Sequence, residues 1–308
     1  MRNKATIAVL VLGLAVGLGI VAATIATIVV NLTSNSENPS TNSTDTVMVD
    51  EVCDPGDTRD DYEAIGTVVS VNSDLSAYVV QPSESCKAAV VVVHDAFGFE
   101  LGANRAVADD LARHGYTAIL PDLFRGNPYS NRSVAFPVWL AGHPQSRIDG
   151  DLDSVLAYIR NDLGLQNVGI VGFCWGGGQV ALASAPSRSR FQAGVAFYGV
   201  LISQQVALAM RAPTLLIFAQ NDTVIPVASV HDTEEILQAG NRLLPDMNAD
   251  ESDLNGSPAF VKIFENVGHA FAHRGDRNNT AVQTTAEQAF SDMYTWLGRF
   301  LPNEVDES

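Results

Sequence analysis

The sequence predicts an α/β fold: a doubly wound, mostly parallel sheet with helices on both faces. Three observations lead there. Apolar, β-branched runs such as Ala88-Ala89-Val90-Val91-Val92-Val93 and Thr214-Leu215-Leu216-Ile217-Phe218-Ala219 read as strands buried on both faces. Stretches of helical spacing separate these runs, so strand and helix alternate. At Gly172-Phe173-Cys174-Trp175-Gly176-Gly177 an apolar run passes through a glycine-flanked apex into a helix-compatible segment. Residues 47–308 suit one such domain, large enough to bury a core without disulfide staples.

The elements follow in chain order. Residues 5–30 contain no charged side chain, and Arg2 and Lys4 precede them. That run is long enough to cross a bilayer as a helix, and its positive flank should stay cytoplasmic. Residues 1–30 are therefore expected to form a transmembrane signal anchor holding the rest of the chain outside the cytoplasm; secretion after signal-peptide cleavage is the alternative. Residues 31–46 are Asn/Ser/Thr-rich and read as a flexible tether. Residues 67–71 and 77–80 flank Asn72-Ser73-Asp74-Leu75 as a hairpin. Strands are expected at 88–93, 116–120, 168–171, 193–198, 214–219 and 259–265. Helices are expected at 103–114, 147–162, 204–210, 227–239 and 282–301, as well as after Cys174. Residues 124–145 form a long loop suited to a pocket rim, and 241–258 an acidic surface insertion.

Composition narrows the function. The formal net charge of −17 argues against nucleic acid and anionic membrane surfaces as partners. Lys4, Lys87 and Lys262 are the only lysines, and an acidic, lysine-poor surface is compatible with a high-salt habitat. No Lys-Ser/Thr follows the glycines at 176–177, so they are not a P-loop, and no C-x-x-C supports a redox site. No His/Cys/Asp cluster has metal-ligand spacing. Of the three cysteines, Cys53 and Cys86 are candidates for a disulfide, with two unpaired thiols the alternative, and Cys174 is expected to stay free.

The 172–177 stretch has the layout of a nucleophile elbow, G-x-S-x-G, with Cys in place of Ser. The following helix aims its N-terminal N–H groups and positive dipole end at Cys174, favouring the nucleophilic thiolate. The plain alternative is a small buried hydrophobe. Two further loops leave strand carboxyl ends, where such sheets gather reactive groups. One carries Asp222; the other carries His269 after Gly268. Nucleophile, acid, histidine is the order of α/β-hydrolases. Cys174 would attack a carbonyl, His269 would move the protons, and Asp222 would fix the imidazole. The N–H groups of Trp175 and Ala96 are the candidate oxyanion donors. His94 and His143 are rival bases, and Glu251 and Asp253 rival acids.

These motifs, with His94-Asp95-Ala96-Phe97-Gly98, Gly115-Tyr116 through Pro121-Asp122-Leu123-Phe124, Asn221-Asp222 and Gly268-His269-Ala270-Phe271, resemble the dienelactone hydrolase family over about residues 66–300. The resemblance implies an α/β-hydrolase fold, a Cys174–Asp222–His269 triad, no cofactor, and hydrolysis of a small ester or lactone. It also implies that Asp95, at a position usually Glu, contacts the thiol in the resting enzyme. Arg125 and Arg274 stand near the places of the family's substrate-carboxylate arginines, each one residue out of register, and His273 falls where an arginine is expected. A general carboxylesterase or thioesterase is the rival enzyme; a binding domain retaining the fold is the rival without catalysis. The chain is expected to act as a monomer.

Overall fold

The protein is described by a computed structural model covering residues 56–84, 88–130, 133–185 and 190–301. Eight strands form one sheet: β1 (Thr67–Ser70), β2 (Ser76–Val80), β3 (Ala88–Val93), β4 (Thr117–Pro121), β5 (Asn167–Phe173), β6 (Ala193–Phe197), β7 (Thr214–Ala219) and β8 (Ala259–Phe264). Their order across the sheet is β1-β2-β4-β3-β5-β6-β7-β8. The β1–β2 and β2–β4 pairs are antiparallel and the remaining pairs parallel. This is the expected mostly parallel sheet of an α/β-hydrolase-type fold, with an antiparallel hairpin at one edge. Asn72 closes that hairpin: its Oδ1 accepts from the N–H groups of Asp74 and Leu75, each at 2.9 Å.

The helices are α1 (Gly102–Arg113), α2 (Phe136–Leu140), α3 (Gln145–Asn161), α4 (Trp175–Ala183), α5 (Gln204–Ala209), α6 (Val227–Ala239), α7 (Phe271–Arg274) and α8 (Thr280–Phe300). Every residue of β3, β4, β6 and β7 is buried. Side chains alternate across a strand, so burial of all of them means that both faces are covered. Apolar periodicity explains the covering helices: Ile148, Leu152, Val155, Leu156 and Ile159 form the inward stripe of α3, and Ala289, Met293, Trp296 and Leu297 that of α8. Ser203 and Asn279 cap α5 and α8 through their side-chain oxygens.

Two segments carry more structure than their sequences suggest. The loop at 124–145 contains α2 and the start of α3, built on Phe136, Trp139 and Leu140 rather than on polar residues. Residues 241–258 are not simply an exposed insertion. Leu244 is buried and donates its N–H to the Ala259 carbonyl at 2.8 Å. Arg242 donates to the Ser257 and Ala207 carbonyls, and Arg299 to those of Met247 and Ala249. Arginines thus fasten this polar stretch to its neighbours by satisfying carbonyls that no strand pairs.

Among the described residues no helix is long and apolar enough to cross a membrane. The expected anchor at 1–30, the tether at 31–46, and Cys53 and Cys86 all lie outside the described residues. The described chain enters along α7. Asp57 donates its N–H to the Arg274 carbonyl at 3.0 Å, and its carboxylate pairs with Arg277.

Candidate active site

Cys174 stands between β5 and α4 with φ +53° and ψ −113°, a left-handed conformation that a side chain rarely adopts. Its surroundings impose that strain. A Cβ at Gly172 would lie 2.2 Å from the Gly176 carbonyl oxygen, and one at Gly176 would lie 2.2 Å from that of Val93. Both glycines of the elbow are therefore required by backbone contact. The second contact brings the end of β3 against the first turn of α4. Ala96, in the turn after β3, and Trp175, the first residue of α4, are both buried there. The N–H of Trp175 belongs to the first turn of α4, which the helix itself leaves unpaired. The Trp175 ring is also buried, stacked on His94 with ring centroids 5.7 Å apart and packed against Phe124 at 4.4 Å. It anchors the elbow in an aromatic cluster.

Asp222 follows β7 and His269 follows β8. Asp222 Oδ1 accepts from the N–H groups of Val224 and Ile225, each at 2.8 Å, which fixes the carboxylate. Its Oδ2 accepts from His269 Nδ1 at 2.8 Å. That leaves His269 Nε2 for Cys174. Nε2 makes no hydrogen bond of good geometry. The two side chains are nevertheless close enough to interact. Burial alone would lower the imidazole pKa, but the Cys174 sulfur and the Asp222 carboxylate raise it to about 10. Cys174 is free and buried. The three residues named from sequence converge.

Asp95 does not follow the expectation of a thiol contact. Its Oδ2 pairs with Arg274 Nε at 2.6 Å and His273 Nε2 at 3.0 Å; its Oδ1 accepts from Asn104 Nδ2 at 3.2 Å and the Phe97 N–H at 3.0 Å. Burial would raise the Asp95 pKa, but Arg274 and His273 hold it well below the usual carboxylate range. The physical reason for the correction is that two adjacent cationic or N–H-bearing side chains on α7 claim the shorter carboxylate. His273 is fully buried, and desolvation lowers its pKa to about 4, outweighing the hydrogen bond to Asp95. Neutral His273 donates from Nε2 to Asp95, so its Nδ1 accepts the Tyr198 hydroxyl at 2.6 Å. The Tyr198 ring centroid lies 5.1 Å from that of His269. Sequence reasoning missed Tyr198 and assigned no role to Asn104. A tyrosine closing a strand beside a glycine, and a second histidine one helical turn after His269, were the available signals.

The arginines are also placed differently from expectation. Arg125 pairs with Asp151 at 2.6 Å and Asp74 at 3.5 Å. Arg274 is buried and stacks over Phe97, 4.8 Å from the ring centroid. The rivals serve elsewhere. His94 bonds the Asp95 carbonyl through Nδ1 and accepts the Leu123 N–H through Nε2. His143 Nδ1 lies 2.9 Å from Arg147 Nη2, and Glu251 pairs with Arg299. The Asp253 carbonyl accepts from Asn241. Among the described residues no group of three or more His, Cys, Asp or Glu side chains is arranged to hold a metal ion.

A cleft of about 990 Å³ is lined by His269, Asn221, Arg274, Arg277, Asp57 and neighbours. A second, of about 560 Å³, is lined mainly by apolar side chains from the loops after β6 and β7 and from α2.

Comparison with known proteins bears on the family and the fold. The family model described as "Dienelactone hydrolase family" matches residues 75–301. The mouse protein named carboxymethylenebutenolidase homolog is 34% identical over 256 residues, covering 81% of this chain and 96% of its own length. A Xenopus tropicalis protein of the same name is 33% identical over 254 residues, with the same coverage. The crystal structure of a putative dienelactone hydrolase from Klebsiella pneumoniae superposes with a TM-score of 0.63 at 24% identity, covering 77% of this chain and all of that one, and shares the fold. By the extent of the family match and the identity to these relatives, the chain belongs to the dienelactone hydrolase family and is a carboxylic ester hydrolase.

Proposed function

We propose that the protein hydrolyses a small ester or lactone through an acyl-Cys174 thioester. The observation that carries this reading is the 2.8 Å Asp222–His269 bond beside a cysteine held in a strained elbow. The Cys174 thiolate attacks the carbonyl carbon, forming a C–S bond as the π electrons move to oxygen. The Ala96 and Trp175 N–H groups receive that oxyanion. When it collapses, the C–O bond breaks and the imidazolium of His269 gives its Nε2 proton to the leaving alkoxide. Neutral His269 then takes a proton from water. The hydroxide attacks the thioester, the C–S bond breaks, and the thiolate leaves beside the restored imidazolium. Asp222 keeps the imidazole oriented and favours its charged form throughout.

The test is a p-nitrophenyl acetate reaction quenched early and analysed by mass spectrometry. One acetyl group should be found on the peptide containing Cys174, and Cys174→Ala should abolish both adduct and turnover. Turnover without any adduct, undiminished in Cys174→Ala, would refute the thioester route. An inert Cys174 towards iodoacetamide near neutral pH, with no turnover, would favour a binding domain.

The charge-free run at 5–30 behind Arg2 and Lys4 supports a further proposal, that the hydrolase is held on the outer side of a membrane; we propose as well that it acts as a monomer. The full chain should stay with membranes through alkaline carbonate washing and sediment as one copy after detergent extraction. Release by the wash, or sedimentation as a dimer, contradicts the corresponding part.

A further inference from the structure

We propose that the substrate is a neutral ester whose acyl group is an alkyl chain, and that this chain occupies the 560 Å³ apolar cavity; the inference rests on the hydrolase reading above. The cavity falls within the usual range of small-molecule sites, about 300–1,000 Å³. Phe136, Val200, Ile202, Phe218, Val224 and Ile225 are among the residues of its wall, and no charged residue lines it. The polar side chains present are Ser203, Ser229 and Thr233, and Thr233 already donates its hydroxyl proton to the Ser229 carbonyl at 3.1 Å.

Residues of the wall adjoin the segments that carry Cys174, Asp222 and Ala96. The N–H of Val200 donates to the carbonyl of Cys174 at 3.1 Å. The N–H groups of Val224 and Ile225 hold Asp222. Phe136 packs in the cluster that covers Ala96, the candidate oxyanion donor. A group bound in this cavity therefore touches the segments that position nucleophile, acid and oxyanion. His269 instead lines the charged 990 Å³ cleft, so the alcohol that it protonates has a separate exit. The acyl side is left to the apolar cavity.

Charge points the same way. The two arginines at the expected carboxylate-binding places are committed. Arg125 is paired to Asp151 and Asp74, and Arg274 is buried against Asp95 and Phe97. A carboxylate on the acyl chain would enter an uncharged cavity and lose its hydration without a partner.

Hydrolysis of p-nitrophenyl acetate, butyrate, hexanoate and mono-p-nitrophenyl glutarate by the full-length chain tests this. Each methylene buried should raise kcat/KM by up to about fourfold until the cavity is filled. The glutarate should fall at least about tenfold below the butyrate, as expected for a charge moved into an apolar site. Ser229→Phe, at the exposed rim, should compress the hexanoate-to-acetate ratio by about tenfold or more. Lengthening the alcohol at fixed acetyl should change kcat/KM far less than lengthening the acyl chain. A flat acyl series, preference for the glutarate, an unchanged ratio in Ser229→Phe, or a steeper dependence on the alcohol would each overturn the inference while leaving Cys174-dependent turnover intact. Absence of any Cys174-dependent turnover would instead overturn the hydrolase reading on which it stands.

Discussion

Two histidines four residues apart, His269 and His273, each bond an aspartate, and their protonation states are opposite. His269 shares Asp222 with two backbone N–H groups and faces Cys174, and its pKa is raised to about 10. His273 shares Asp95 with Arg274, and its pKa is lowered to about 4. A His–Asp pair alone therefore does not set the charge. The balance around each ring decides: at His273 desolvation outweighs the Asp95 bond, whereas at His269 the Cys174 sulfur and the Asp222 carboxylate outweigh desolvation. The first pair is fitted to move protons and the second to hold a turn in place.

Removing each imidazole in turn separates the two pairs most strongly. His269→Ala should lower kcat for p-nitrophenyl esters by about 10⁴-fold or more, the scale seen when a triad member is lost. His273→Asn, which keeps an amide near Asp95, should cost far less. Equal losses in the two variants would show that both pairs serve the chemistry. Next in size is Asp95→Ala. It removes the carboxylate paired with the buried Arg274 guanidinium, and losing one partner of a buried ion pair costs about 3–5 kcal/mol. Urea unfolding of the variant should show that loss. Asp222→Ala should be marked chiefly by lost activity.

Stability against pH separates the pairs in another way. The unfolded chain protonates a histidine near pH 6.5, but folded His273 resists protonation until about pH 4. As pH falls through that window the unfolded state takes up the extra proton, so folding weakens, by up to roughly 3 kcal/mol at the acid end. His269 has the opposite sign. Its raised pKa contributes stability that is present below about pH 6.5 and lost as pH rises towards 10. Denaturant midpoints measured from pH 4 to 10 should trace both limbs. His273→Asn should flatten the acid limb and His269→Ala the alkaline one. The reverse assignment would mean that the two charge states have been exchanged.

The legible part of the molecule was the part written in local patterns. β3 and β7 end where their apolar runs end, and the elbow glycines announce backbone contacts that the Gly172 and Gly176 geometry explains. The placing of Cys174, Asp222 and His269 could be read because each follows a strand and so must emerge at the same edge of the sheet. The Asp95 network could not be read this way. It joins the end of β3, the first turn of α1, the end of β6 and α7, and which neighbour claims a carboxylate depends on distances that sequence spacing does not carry. The same applies to α2, whose apolar residues cover Ala96 instead of following a periodic stripe.

The smallest expected effect is that of Arg125, and the reason lies in what its removal leaves behind. Arg125→Gln breaks the 2.6 Å pair with Asp151, but Arg147 remains on the other oxygen of Asp151 at 2.9 Å. The buried Asp151 carboxylate thus keeps a cationic partner. Arg125 is also partly exposed, and its pair with Asp74 lies at the surface, where such contacts contribute about 0–1 kcal/mol. Glutamine keeps a Cβ at a residue with φ +52°, so the backbone cost of that left-handed turn does not change either. The variant should unfold within about 1 kcal/mol of the parent and hydrolyse neutral esters at the parent rate. A selective loss of turnover for carboxylate-bearing esters would place Arg125 at the substrate after all, and would make its bond to Asp151 one that opens when an anion arrives.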